Sequence, residues 1–217
     1  MNNTLDNAIK KDDGSFYALP LDAAITGIVY NQTVLDRAGV DVSDIASWED
    51  FSAACDKVVA TGATCVAASG KENWTSGDIV DYMAPGMYND DQLQELSDGT
   101  FDTDQWAKAV TPVYDWARAG YMNVDYTSAT SDDVAKLIAS DQCAFGFQPN
   151  SLAQSVEVYN PDAKLGFMAY PSETGDRYLI SAEDYAIGVS NASEHKDEAL
   201  KLLDFMAEPD NMKKLSD

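Results

Sequence analysis

The sequence is poor in basic residues and almost without histidine. Of its 217 residues, 14 are Lys or Arg and one is His, against 37 Asp or Glu, so the formal net charge is −23. Binding to nucleic-acid phosphates or to anionic lipid needs clustered Lys and Arg, and the composition therefore excludes both kinds of partner. Two interpretations of the acidity stay open, steering of a cationic ligand and solubility of a secreted or salt-adapted protein, and we favour solubility.

The shortage of catalytic motifs limits the chemistry further. The single histidine, His195, lies at a predicted helix start in SEHKDEA and is expected to be a solvated surface residue. One histidine excludes an HExxH zinc site, and the GxSxG, phosphate-loop and dinucleotide glycine motifs are absent. We therefore predict no catalytic residue, no metal and no cofactor. A carboxylate pair such as Glu183 and Asp184 keeps one alternative open, a carbohydrate-active enzyme.

Cysteines are few and odd in number, at positions 55, 65 and 143, which excludes a disulfide framework. Their spacing does not fit a zinc site. Cys55 and Cys65 can meet if a helix and the strand after it pack side by side, whereas the alternative is that both are small buried hydrophobes. Cysteine usage alone therefore leaves the redox compartment open.

Long apolar runs are also absent. No stretch approaches the roughly 18 residues needed to span a bilayer, so we predict no membrane insertion of this chain. The start, MNNTLDNAIKK, lacks the apolar region of a signal peptide. Either the protein is cytosolic, or the front end has been removed.

Strand and helix patterns alternate along the chain, which favours an α/β architecture over a sandwich or a bundle. Asn31 and Ser47 are predicted N-caps, and Gly39 and Gly120 are predicted helix ends. A long helix is expected to kink or break at Pro112. The predicted strands cover 16–20, 25–30, 64–68, 143–147, 164–171 and 183–189. The predicted loops include 69–77 and 88–104, the second with one helical turn.

Aromatic and amide side chains mark a candidate ligand site. Trp74 follows a predicted buried strand in a polar segment, where an indole is either a core plug or a platform for the flat face of a sugar. Gln148 and Asn150 follow the predicted strand CAFGF. Ligands of α/β sheets lie outside the carboxyl ends of strands, so these amides are candidate ligand donors and acceptors, although helix capping alone would explain Asn150.

The order of several segments resembles a known family. YALPLDAAITGIVYNQTVLDRAGV, SWEDFSAACDKV and ASGKENW are similar to the extracellular solute-binding proteins of bacterial ABC importers, in the carbohydrate-binding family that includes maltose-binding protein. FDTDQWAKAVTPVYDWARAGYMN, QCAFGFQPN, KLGFMAYP and AEDYAIGVSNASEHKDEALKLLDFM continue the same order. The resemblance covers nearly the whole chain, and it lies in the order and spacing of the segments.

This resemblance implies a periplasmic-binding-protein-like α/β fold with two lobes joined by crossing strands and with the solute between them. Residues 1–27 would be a first-lobe segment with a crossing strand, 28–181 the second lobe, and 182–217 the return crossing and a further first-lobe segment. The chain would thus be a fragment with one nearly complete lobe, and truncation would explain the missing signal segment. Two strands that run through a hinge would let the lobes close on a ligand as rigid bodies.

The resemblance also implies a role for particular residues. Trp74 matches the aromatic ligand loop, Gln148 and Asn150 match the loop after a second-lobe strand, Asp22 lies at the first crossing, and Asp184 and Tyr185 lie at the return. The implied function is capture of a small solute, a sugar or oligosaccharide, and delivery to the membrane subunits of an ABC permease. The implied location is outside the cytoplasmic membrane, in the periplasm or as a cell-surface lipoprotein.

Overall fold

The computed structural model describes residues 9–11, 13–172, 175–183 and 185–216, with side chains inside helices and strands for all but 73–76, 182–183 and 215–216. It divides into two compact units. One contains residues 1–25 and 181–217, and the other contains residues 26–180. That these units belong to two lobes of a solute-binding fold stays a prediction.

Strands and helices alternate through most of the described chain, so the structure has the predicted α/β character. The strands are β1 (Leu19–Pro20), β2 (Ala23–Asn31), β3 (Thr64–Ala67), β4 (Cys143–Pro149), β5 (Leu165–Met168), β6 (Ile180–Glu183) and β7 (Ala186–Ile187). The α-helices are α1 (Gln32–Ala38), α2 (Trp48–Ala60), α3 (Asn73–Met83), α4 (Asp90–Ser97), α5 (Thr103–Ala119), α6 (Ser131–Ala139), α7 (Ser151–Tyr159), α8 (Lys196–Ala207) and α9 (Pro209–Ser216).

A mixed sheet forms the centre of the unit of residues 26–180. Its strand order is β3-β4-β2-β5, and β6 also pairs with β2. β3 runs parallel to β4, whereas β2 runs antiparallel to both β4 and β5. The carboxyl ends of β3, β4 and β5 therefore lie at the same edge of the sheet as the beginning of β2 in this unit.

Helices cover both faces of this sheet. Ile28 belongs to a large hydrophobic cluster with residues of α1, α2, α3 and α5, and the adjacent Val29 belongs to a second cluster with residues of α6 and α7. Successive side chains of a strand point to opposite faces, so the two clusters lie on the two sides. On α2, Trp48, Phe51 and Cys55 are all buried against this core.

Helix caps also follow the sequence prediction. The Asn31 side chain accepts a hydrogen bond from the Val34 backbone N–H at the start of α1, and Gly39 ends that helix with a φ of 64°. Ser47 begins α2 with a capping box, in which Ser47 and Asp50 each bond the other's backbone N–H. Such caps satisfy backbone donors that have no partner within the helix.

The open question about the cysteines is settled in favour of a bond between α2 and β3. Cys55 and Cys65 form a disulfide with a Cα–Cα distance of 5.2 Å. Cys143 is a buried free thiol, so it matches the alternative interpretation of a small hydrophobe, and burial raises its pKa to about 12. Disulfides persist mainly in oxidising compartments, so the bond is typical of an exported protein.

The structure differs in part from the sequence predictions for α5 and for the loop before it. Pro112 does not break the chain into two helices, since α5 is continuous from 103 to 119. Ala109 and Trp116 are buried on either side of the proline, and packing before and after it holds the helix together. The segment 88–104, predicted as a loop with one helical turn, contains the 8-residue helix α4, which begins at the capping box of Asn89 and Gln92.

The unit of residues 1–25 and 181–217 contains a short antiparallel pair and two helices. β1 pairs with β7, with Leu19 opposite Ile187 and Pro20 opposite Ala186. The predicted strands 16–20 and 183–189 are thus shorter in the structure. Many apolar side chains of this unit are exposed, among them Phe16, Tyr17, Leu200, Leu202 and Phe205.

Candidate functional site

The candidate site lies at the sheet edge where β3, β4 and β5 end in the unit of residues 26–180. At this edge Thr26 of β2 is opposite Pro149 of β4, and Gly27 is opposite Gln148. The edge is closely packed there, because a Cβ on Gly27 would come within 2.7 Å of the Met168 carbonyl oxygen. The sequence predicts ligand contacts at the end of β4, and in the structure β3 and β5 end at this same edge of the sheet.

Gln148 lies near the end of β4, and most of the residue is buried. Its exposed fraction is 9%. Among the described residues, none forms a hydrogen bond with its side-chain amide, although backbone bonds hold the strand on which it lies. The residue is mostly buried, but its amide group still reaches the surface, where water or a ligand can satisfy it.

Asn150 follows β4 directly and occupies the N-cap position of α7. Its side chain makes no capping hydrogen bond to that helix. The capping explanation, which the sequence left open, therefore does not account for this asparagine. Gln148 and Asn150 are two positions apart at one strand end, so the structure brings these two predicted residues together.

Trp74 lies in the first turn of α3, and not in the loop 69–77 that the sequence predicts. Its side chain lies outside the part of the chain that is described. The segment before α3 is held by the region 122–131: the amide of Asn123 bonds the Ala68 backbone at both N–H and C=O, at 2.8 and 3.1 Å. A Cβ on Gly70 would come within 2.7 Å of the Tyr126 carbonyl oxygen, so only glycine fits at this crossing. These contacts fix where α3 begins.

A cluster of three tyrosines connects α3 to the sheet edge. The Tyr170 ring lies 5.9 Å from that of Tyr82 and 5.4 Å from that of Tyr178, between centroids. The Tyr170 phenol donates a hydrogen bond of 2.8 Å to the Gly27 carbonyl, and the Tyr178 phenol donates one of 2.6 Å to the Tyr82 carbonyl. We call Tyr82, Tyr170 and Tyr178 the tyrosine cluster. Burial raises the pKa of all three phenols above the ordinary value, so they stay neutral.

Asp78 lies on α3 beside the tyrosine cluster and is missing from the sequence prediction. Its side chain is 9% exposed, and its Oδ2 atom is buried without a hydrogen-bond partner among the described residues. Burial raises its pKa to about 6; a hydrogen bond with Tyr82 opposes this shift and the nearby Asp81 adds to it. The signal available in the sequence was the spacing of Asp78 and Tyr82, four residues apart on one helix.

An apolar cavity of about 410 Å³ lies next to the segment that leads into α3. It is lined by Ser69 and Gly70, by Ile79 of α3, and by Val113 and Tyr114 of α5, with further residues from the region 122–127. Its walls carry few polar groups, so the cavity offers little to orient a sugar hydroxyl.

Three predicted residues belong to the other unit. Asp22 is exposed, and its carboxylate accepts a hydrogen bond of 2.7 Å from the Ala23 backbone N–H. Tyr185 has an exposed fraction of 65%, and its carbonyl accepts a hydrogen bond of 2.8 Å from the Leu21 N–H, so the backbones beside Asp22 and at Tyr185 are adjacent. Asp184 lies outside the described residues.

In the described part of the chain, no group of three or more His, Cys, Asp or Glu side chains is arranged to hold a metal ion. None of the helices described is both long and apolar enough to cross a bilayer.

Comparison with known proteins assigns the family. The model of the bacterial extracellular solute-binding proteins matches residues 2–213. The chain belongs to this family. The match extends over both compact units and includes every predicted site residue.

Relatives of this family member have been described as sugar-binding proteins. The melibiose/raffinose/stachyose-binding protein MelE of Bacillus subtilis is 25% identical over 98% of the chain and 52% of its own length. The multiple sugar-binding protein of Streptococcus mutans is 22% identical over 93% of the chain and 49% of its own length. The family member thus spans about half the length of the curated relatives it matches.

A solved structure shows the same fold. A sugar transporter from Bacillus licheniformis, crystallised with stachyose, superposes with a TM-score of 0.86 at 24% identity, over 99% of this chain and 58% of that chain. The predicted periplasmic-binding-protein-like α/β fold is therefore confirmed for this family member.

Proposed function

We propose that the protein containing this chain is the substrate-binding component of an ABC importer and that its solute is an oligosaccharide. Family membership supports a binding role, and the names of the relatives support a sugar. The observation that carries the proposal is Gln148, whose side-chain amide bonds no described residue and lies at the strand end where α/β sheets bind ligands.

In this proposal the predicted site residues form two groups that contact the sugar in different ways. Amides of Gln148 and Asn150 exchange hydrogen bonds with sugar hydroxyls, and the Trp74 indole stacks on an apolar sugar face. Asp22, Asp184 and Tyr185 supply polar contacts from the segments near the two chain crossings. The solute favours the closed form only by as much as it binds that form more tightly than the open one, and the closed form is then presented to the permease subunits.

Location follows from the same proposal. A solute-binding component acts outside the cytoplasmic membrane, and the disulfide between Cys55 and Cys65 suits that oxidising environment. We place the protein in the periplasm or at the cell surface, where a lipid anchor would keep it near the permease.

The test is isothermal titration calorimetry on the full-length protein with melibiose, raffinose and stachyose, and with a peptide and a polyamine as comparison solutes. We expect saturable binding of at least one sugar. Gln148→Ala should weaken it about 10-fold, the effect of one hydrogen bond of roughly 1.4 kcal/mol. Gln154→Ala, an exposed glutamine on α7, is the matched control and should bind normally. Binding of only the peptide or the polyamine would overturn the sugar assignment.

Trp74 is tested in the same titration. Trp74→Ala should weaken sugar binding by about 10-fold or more, since the stacked indole face is lost. Tyr114→Ala removes an aromatic side chain that is 58% exposed on α5 and should leave affinity unchanged. Equal affinity of Trp74→Ala and the unmodified protein would show that this indole plays no part in binding.

The alternative function is that of a carbohydrate-active enzyme, because the structure contains one feature expected of such an enzyme. Acid–base hydrolysis needs a carboxyl group of raised pKa, and Asp78 has a pKa of about 6. Its Oδ2 atom is buried, however, and the sequence-predicted pair Glu183 and Asp184 is not described in its side chains. Release of monosaccharide from raffinose by the purified protein would favour the enzyme; we expect none.

A further inference from the structure

We propose that the apolar cavity between α3 and α5 is a binding site for a small, uncharged molecule built mainly of apolar rings. The cavity has a volume of about 410 Å³ and is lined by residues of the unit of residues 26–180. Among the described residues, neither Gln148 nor Asn150 lines it. The inference therefore concerns a second site, and it does not depend on the proposed binding of a sugar.

The first step of the argument is the depth of the cavity. Ile79 of α3 and Met122 line it and are buried, with exposed fractions of 4% and 8%. Val110 and Tyr114 of α5 line it as well, and their exposed fractions are 40% and 58%. The cavity thus extends from side chains that solvent reaches to side chains that are buried, so a molecule can enter it from the surface.

The second step is that contacts within the protein already hold one wall of the cavity in place. Ala68, Gly70 and Tyr126 all line the cavity. The Asn123 side chain bonds the Ala68 backbone at both N–H and C=O. The Gly70 backbone lies so close to the Tyr126 carbonyl that a Cβ would come within 2.7 Å of its oxygen. A wall that is formed before the ligand arrives lowers the cost of ordering the protein on binding.

The third step is the chemistry of the walls. No Asp, Glu, Lys, Arg or His among the described residues lines the cavity, and its polar side chains are the hydroxyls of Ser69, Tyr114, Tyr126 and Thr127. An ion would lose its hydration there without gaining a counter-ion. The net charge of −23 opposes an anion further. An uncharged apolar molecule instead gains from leaving water and from contacts with the walls.

The size of the cavity favours a small molecule over a segment of a partner protein. Ligand pockets have volumes of roughly 300–1,000 Å³ and mostly apolar walls with a few polar groups, and this cavity lies near the lower limit. A helix or strand of a partner needs a longer groove for its row of side chains. The two tyrosines of the lining, Tyr114 and Tyr126, favour a ring compound in particular, because aromatic rings attract one another.

The experiment is titration of the full-length protein with N-phenyl-1-naphthylamine, an uncharged aromatic probe whose fluorescence rises in apolar surroundings. We expect saturable binding with a Kd of about 1–100 µM. Val113→Trp and Ala117→Phe each place a larger side chain in the cavity. Each of these filling variants should weaken binding of the probe by about 10-fold or more, because the probe loses the space that it occupies.

A matched control and a second measurement isolate the cavity. Val158→Trp adds an indole at a valine of α7 that is 79% exposed, and it should bind the probe like the unmodified protein. Melting curves show whether each variant folds. Crystals of the unmodified full-length protein, soaked with a brominated analogue of the probe, give a result that needs no variant: the anomalous bromine signal should lie beside Ile79 and Met122.

The outcomes are decisive for the cavity and separate it from the sugar site. Absence of probe binding by the unmodified protein, equal binding by the folded filling variants, or a bromine signal only elsewhere would overturn the inference. Displacement of the probe by raffinose would place it in the sugar site and would overturn a second site. The probe is titrated without sugar, so failure of sugar binding rejects the proposed function alone, and failure of probe binding rejects this inference alone.

Discussion

The phenol of Tyr170 donates a hydrogen bond of 2.8 Å to the backbone carbonyl of Gly27, and 143 residues separate the two in the chain. The ring is buried and contacts Phe147, Tyr82 and Tyr178. One side chain therefore joins the segment after β5 to the start of the sheet edge on β2 and to helix α3. The geometry of the candidate site depends on this connection.

Removal of the Tyr170 hydroxyl should lower stability, although the aromatic ring stays in the core. We expect Tyr170→Phe to reduce the free energy of unfolding by about 1–2 kcal/mol, since the buried Gly27 carbonyl loses its side-chain donor. Chemical denaturation followed by fluorescence measures the change. Tyr126→Phe is the matched control, because no described residue bonds the Tyr126 hydroxyl, and it should be neutral. Equal effects of the two substitutions would mean that the bond to Gly27 contributes nothing.

Asn31 gives a stronger prediction because it has two tasks. It caps α1 through Val34, and its amide donates to the Ile138 carbonyl at 2.8 Å, at the end of α6. The side chain is fully buried, so Asn31→Ala leaves buried groups without partners and should cost about 2–4 kcal/mol of unfolding free energy. Asn89→Ala removes an exposed cap of α4 and should cost about 1 kcal/mol. A smaller loss at Asn31 than at Asn89 would contradict this view.

The sequence predicted these local features better than the distant ones. Asn31, Ser47 and Gly39 act through neighbours within four residues, so their caps and ends could be derived from residue type alone. Pro112 was predicted to interrupt α5, but burial of Ala109 and Trp116 against other elements outweighs the local preference of proline. A local sequence pattern does not contain the tertiary packing that keeps α5 continuous through Pro112.

In the candidate site, too, the sequence predicts features that depend on neighbouring residues and misses those that depend on distant ones. The position of Gln148 at the end of a buried strand was predictable from the apolar run before it, and its role in ligand binding stays a prediction. Asp78 was not predictable, since its burial depends on tyrosines that enter from 90 or so residues further along the chain. The helical start of α3 at Asn73 was missed as well, because its polar first turn has the composition of a loop.

Reduction of the disulfide should weaken the unit of residues 26–180. Cys55 and Cys65 close a short loop, with a sequence separation of 10, and in the chain-entropy model such a crosslink contributes about 3 kcal/mol. We expect dithiothreitol to lower the melting temperature of the unmodified protein. The double variant Cys55→Ala with Cys65→Ala should melt lower from the start and should not respond to reductant. A reductant effect of equal size in the double variant would point to Cys143 or to another cause.

Stability should also depend on pH through Asp78. Burial raises its pKa from the ordinary 3.8 to about 6, so the folded protein binds this proton more tightly than the unfolded chain does. The contribution of Asp78 to stability is therefore fully present below about pH 4 and is lost as the pH rises to about 6. Asp78→Asn should become more stable than the unmodified protein as the pH rises through this range, and the difference should level off above it.

Urea denaturation at pH 4.5, 5.5, 6.5 and 7.5 measures this difference directly. Asp81→Asn, which removes a more exposed carboxylate on the same helix, should show a much smaller change across the series. A difference between Asp78→Asn and the unmodified protein that stays constant with pH would contradict the assignment of a raised pKa.

The disulfide has a consequence for how the chain oxidises. Cys143 lies 78 residues from Cys65 and further still from Cys55, whereas the native partners are separated by only 10. Short loops close at the smallest entropic penalty, so a freshly translocated polypeptide meets its correct sulfur partner first. The third thiol is then enclosed with β4 among residues of the second hydrophobic cluster. Oxidative maturation of this protein should therefore proceed with few scrambled isomers and with little demand for an isomerase.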